Sequence, residues 1–222
     1  MSATNTMWKL LERRSKTVFL TAGVLLLGYA VSKAVYIFTD VTAVGAFDVA
    51  FGGIGLLVTT LGLFALYPRL RDGAPRLSLA GLVTVVVAAA STLALLGWLA
   101  GATLTRAGYP AIPEESPAWT VAALIIVFVT IALGFLLFGA VSLRTDVFSR
   151  TVGWLLLVPG LGWVGLIVGN VALPSGQYLG LVYVPISLAL LAVGYRLRND
   201  SARTDDVESA SDSVRAEPFR RR

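Results

Sequence analysis

Lys33 lies inside an apolar stretch, Val18 to Phe38. A charge at mid-bilayer costs about 2.5–3.5 kcal/mol on insertion scales, so its presence calls for a reason. Tyr29, Lys33, Tyr36 and Asp40 follow i, i+4, i+7, i+11 spacing, which on a helix gathers them on one face as a polar stripe. Asp48 and Asn170 fall at similar depth if each apolar stretch crosses a membrane in turn, so Asp40, Asp48 and Asn170 are the natural partners of the ammonium. Such a stripe serves one of two ends. It lines a small outward-open cavity for an anionic or hydrogen-bonding ligand, or it holds a lysine whose long stem carries its charge to the headgroups or into a structural ion pair.

Other chemistry is short of parts. Thr59, Thr60, Thr84, Ser91, Thr92 and Thr130 interrupt the apolar stretches, but as nucleophiles they lack a neighbouring base. The chain has no histidine and no cysteine, which removes zinc hydrolases, thiol enzymes, disulfides, iron–sulfur sites and histidine-ligated haem. Its adjacent carboxylates, Glu114–Glu115 and Asp205–Asp206, lie in polar segments, and an oxygen-only metal site needs several acids converging on one ion. No catalytic residue, metal or cofactor is expected, and the protein reads as a non-enzyme.

The elements that position Lys33 follow from composition. Of 222 residues, 56% are hydrophobic and 14% charged, a balance suited to lipid rather than water. Six stretches are each long enough to cross about 30 Å as a helix: Val18–Phe38, Val49–Tyr67, Leu77–Ala100, Trp119–Val141, Thr151–Ala172 and Tyr178–Tyr195. The expected fold is all-α, a polytopic bundle of six transmembrane helices in which short connections make successive helices antiparallel neighbours. Residues 1–16 read as an amphipathic cytoplasmic segment on the membrane surface, with Met7, Leu10 and Leu11 at helical spacing beside Trp8. Residues 17–196 read as the six-helix domain. Residues 197–222 read as a disordered cytoplasmic tail, too poor in apolar side chains to fold alone.

Orientation comes from basic residues sorted by side. Lys9, Arg13, Arg14, Lys16, Arg69, Arg71, Arg76, Arg144, Arg150, Arg196 and Arg198 fall on the N-terminal side, and only Arg106 falls opposite. Both termini are therefore expected in the cytoplasm, with the protein a multi-pass component of the cell membrane. The same rule accounts for the net charge of +5 without nucleic acid as a partner. Trp98, Tyr109, Trp119 and Tyr178 form an aromatic belt at the outer boundary.

Three returning helices end alike, in Arg69-Leu70-Arg71-Asp72, Leu143-Arg144-Thr145-Asp146 and Arg196-Leu197-Arg198-Asn199-Asp200, each followed by a further arginine. Duplicated hairpins explain this, and so does the need of every inward-going helix for an arginine stop with a local acid. Gly97 with Gly101, Gly165 with Gly169 and Gly176 with Gly180 mark faces where backbones can approach. Pro159-Gly160 and Pro185 predict kinks near mid-membrane.

Arginine outnumbers lysine fifteen to three, and the tail is rich in Ser, Asp and Glu. With the stretches Gly62-Leu63-Phe64-Ala65-Leu66-Tyr67-Pro68-Arg69 and Leu143 to Pro159, the chain resembles a haloarchaeal family of six-helix integral membrane proteins grouped only as a domain of unknown function. That resemblance implies a halophilic archaeal source and the six-helix fold, and it brings no functional residue. The function expected is that of a subunit or accessory partner of a membrane assembly, with lipid, other membrane proteins or further copies of itself as partners. The alternative is a small solute-binding or transport component using the helix-one stripe.

Overall fold

The computed structural model describes residues 3–39, 48–105, 118–145, 147–172 and 180–216, with side chains described for 14–35, 37, 50–98, 119–145, 147–169 and 180–200. It is helical, with no strand among the described residues: α1 (Ala3–Thr39), a π-helical turn (Asp48–Gly53), α2 (Ile54–Gly73), α3 (Pro75–Thr105), α4 (Ala118–Arg144), α5 (Arg150–Ala172) and α6 (Tyr183–Ala216). All six α-helices contain a segment long and apolar enough to cross a membrane, the build of a multi-pass membrane protein. Helices satisfy their own backbone hydrogen bonds, so they suit apolar surroundings.

Each helix packs on its sequence neighbour, and α6 packs on α1, so the six close into a ring, with α2 also touching α4. The ring is sealed by small residues. A Cβ on Gly194 would stand 2.9 Å from the backbone of both Leu20 and Lys16, and one on Gly23 would stand 3.0 Å from Leu191 N. These two contacts make α1 and α6 antiparallel, backbone against backbone. The α4–α5 pair is built alike, with Gly139 against the Gly153 carbonyl at 3.2 Å and Gly160 against that of Ala132 at 3.3 Å from an added Cβ. Lipid supplies no hydrophobic drive between helices, so close packing has to supply it. Trp163, Phe19, Phe135 and Phe138 fill the interior, each fully buried.

Several details differ from the sequence-based expectations. The N-terminal segment and the first span form one helix: α1 runs unbroken for 37 residues, about 55 Å, because residues 3–22 contain neither Gly nor Pro to turn the chain. The backbone of α6 likewise continues to Ala216 through residues expected to be disordered. Extending a formed helix avoids the nucleation cost, and nothing breaks it before Pro218. Pro185 is in the first turn of α6, not at mid-span, where its missing N–H is no loss. Helix α5 continues through Pro159. Of the glycines marked by spacing, Gly97 and Gly165 have nothing within 4 Å of an added Cβ among the described residues, so neither seals a contact there.

Gly194→Ala should therefore cost about 1–3 kcal/mol, since backbone cannot move aside as a side chain can, whereas Gly165→Ala should be neutral or stabilise by up to about 1 kcal/mol through helix propensity. Thermal unfolding in detergent measures both, and equal effects would contradict the backbone contact between α1 and α6.

Candidate functional site

The stripe on α1 is built around Tyr29. One turn along the same face, Lys33 holds its ammonium 5.3 Å from the Tyr29 ring centroid, within cation–π range. The lysine stem does not lie in open space. A Cβ on Gly180, just before α6, would meet Lys33 Cβ at 2.8 Å and Cγ at 3.1 Å. Gly180 was marked by its spacing as a point of close approach; what approaches is the lysine stem, which leaves Lys33 half-buried.

Tyr29 is enclosed on further sides. Its ring meets that of Tyr183 edge to face, with centroids 4.6 Å apart and planes at 83°. The π-helical turn brings Gly52 against it, so that a Cβ there would be 3.0 Å from the ring. A widened turn with two glycines lets a ring press on backbone. The aromatic series continues inward: Tyr183 meets Trp163 at 5.2 Å and 86°, and Trp163 stacks on Phe128 at 5.3 Å and 25°. Four rings from α1, α6, α5 and α4 thus run from the lysine into the core, each in a geometry aromatic quadrupoles favour. The Trp163 indole N–H is buried with no hydrogen-bond partner among the described residues.

Of the six residues named from sequence, the structure joins Lys33 and Tyr29. Asp40 lies outside the described residues; Tyr36, Asp48 and Asn170 have helical backbone positions, and their side chains lie outside the described set. Tyr183, Trp163, Phe128 and Gly52 were not singled out by sequence, since single aromatics in apolar stretches give no sign of contact across helices. The signal that existed was Tyr29 itself, a phenol in an apolar helix that needs neighbours for both ring and hydroxyl.

The hydroxyls inside the spans are mostly spent on their own helices. Thr59 donates to the Gly55 carbonyl, Thr60 to Leu57, Thr84 to Gly81 and Thr92 to Ala88, each at 2.7 Å, and Thr130 donates to Ile126 at 2.6 Å. These bonds commit each hydroxyl proton to a carbonyl of its own helix. Among the described residues, no group of three or more acids could hold a metal ion.

Lys33→Met keeps the stem against Gly180 and gives up the cation–π contact, which contributes about 1 kcal/mol, so it should destabilise less than loss of the ring. Tyr29→Ala empties the centre of the packing and should cost about 3 kcal/mol or more. Thermal melts of the two variants in one detergent check the order, and the reverse order would mean that the charge, not the ring, holds this end of the bundle.

No protein-family model, curated protein or solved structure matches the chain.

Proposed function

We propose that the chain is a non-enzymatic, multi-pass protein of the cell membrane with both termini in the cytoplasm, serving as a subunit or accessory partner of a membrane assembly. The observation that carries this is the packing at the helix-one stripe, where the Lys33 stem lies against Gly180 and the Tyr29 ring against Tyr183. A lysine committed to holding helices together supports a structural role. The outer face of α5 supports the same view, because Trp154, Leu161 and Val168 are each more than half exposed beside the open Gly165, leaving a surface for lipid, another membrane protein or a second copy. The arginine-rich composition and the six-helix pattern also fit the haloarchaeal family that the sequence resembles.

A solute-binding role has one observation in its favour, the unpartnered Trp163 indole N–H at the inner end of the aromatic series. A ligand acceptor reaching it would pair a group that is costly to leave unpaired.

Purification in a gentle detergent, with mass measurement and identification of co-purifying chains, should give a species larger than one chain. A strict monomer without partners would overturn the assembly role, and saturable solute binding lost in Lys33→Met would establish the alternative. Orientation has a separate test, made simple by the absence of cysteine. Cysteines introduced at Ser116 or Ser175 should react with an impermeant thiol reagent on intact cells, and ones at Gly73 or Ser211 should not; labelling at Gly73 reverses the topology.

A further inference from the structure

At the arginine-bearing end of the bundle two turns meet. The α2–α3 turn touches the α4–α5 turn, so that a Cβ on Gly73 would lie 2.6 Å from Thr145 Cγ2, and the Arg69 guanidinium stands 5.7 Å from the Phe148 ring centroid. Phe148 is tucked into the core, which draws the second turn inward. Segments 69–76 and 144–150 therefore lie together. By sequence these segments carry Arg69, Arg71, Arg76, Arg144 and Arg150 with Asp72 and Asp146, a formal net charge of +3, the placement of Asp146 lying outside the described residues. Asp72 accepts from Arg71 at 3.3 Å. All five arginines are exposed, and the first N–H groups of α5 add positive partial charge beside Arg150.

Beneath this cluster are two hydroxyls unlike the others in the spans. Gly81 on α3 faces Phe138 on α4. Ser78 is one turn nearer the arginines on the same face as Gly81, and Ser142 is one turn nearer them on the same face as Phe138. Both are buried, at 0% and 1% exposure, and neither oxygen has a hydrogen-bond partner among the described residues, although the threonines bond their own carbonyls one turn back. Two unpaired hydroxyls at one level on facing helices, below a cluster of guanidiniums, offer donors to an anionic oxygen, directly or through one ordered water. An apolar lip flanks the same level. Leu79 is 52% and Trp154 63% exposed, and Trp154 follows Arg150 by one turn on one face of α5.

We propose that this seam between the α2–α3 and α4–α5 turns binds the phosphate of an anionic phospholipid headgroup, with Arg69, Arg71, Arg144 and Arg150 around it and Ser78 and Ser142 below. The pairing of a cationic seam with an apolar lip favours a lipid over a free anion, because a lipid carries both a phosphate and acyl chains. The site rests on the membrane-spanning architecture and not on which side of the membrane this end faces, nor on the assembly role.

The test uses the full-length chain, delipidated in mild detergent, with phosphatidylglycerol, phosphatidylcholine and inorganic phosphate as probes, read by native mass spectrometry and by the shift in melting temperature. Wild type should bind phosphatidylglycerol saturably and in preference to phosphatidylcholine. Arg144→Gln with Arg150→Gln should weaken that binding about tenfold, while Arg14→Gln with Arg198→Gln, the same charge loss at the same end but off the seam, should weaken it less than about twofold. Ser78→Ala with Ser142→Ala should weaken it about threefold with the melting temperature of the lipid-free protein unchanged or raised. Equal losses from the two arginine pairs would replace the site with diffuse attraction. Displacement of the lipid by millimolar inorganic phosphate would make it a free-anion site, and no preference over phosphatidylcholine would abolish it.

Discussion

Backbone contact between α1 and α6 at Gly194 and Gly23 turns a row of hairpins into a closed bundle. Among the described residues, the other extensive contacts between α-helices join sequence neighbours, or α2 and α4 across the middle, and would survive in an open array. Closure alone brings the C-terminal half of α1 beside the start of α6, and with it Lys33 onto Gly180 and Tyr29 onto Tyr183. In an apolar solvent, dispersion between well-fitted surfaces has to do what water exclusion does in a soluble core. Glycine permits that fit by letting two helix backbones stand within van der Waals reach.

The enclosure of Lys33 follows from the same contact. An intramembrane lysine is tolerated when its stem covers apolar surface and its charge finds electron density. Gly180 provides room for the stem and Tyr29 provides a ring face. The two aromatic ends of α3 and α4, Trp98 and Trp119, meet edge to face at 5.6 Å, so the belt residues also link neighbouring helices.

The spans and their order were legible in the sequence because hydropathy is a local quantity. Contacts across helices were not, since they depend on rotation of one helix against another, which no single segment encodes. Gly97 and Gly165 illustrate this: their four-residue spacing matches that of true contact residues, yet neither has a described neighbour within 4 Å of an added Cβ, while Gly23 and Gly194 have no such spacing partner and seal the ring. Pro185 shows the boundary version of the problem. Its kink was assigned from a span thought to begin earlier, and the α-helix starts at Tyr183, where proline fits without bending anything.

The arginine repeat illustrates how one pattern can serve two purposes. Stopping each returning helix requires only that arginines occur at the interface, and exposed positions anywhere around the ring would satisfy that need. Two of the three repeats, at Arg69–Arg71 and at Arg144, are brought together because Gly73 admits Thr145 and Phe148 enters the core. The third, at Arg196–Arg198, belongs to α6, which packs on α1 and α5. Like charges placed side by side repel unless something between them carries the opposite sign. Interfacial phosphates are the anions most abundant at that depth, so the assembled seam is most stable with one in place, and the packing that positions the arginines is itself favoured by the lipid they face.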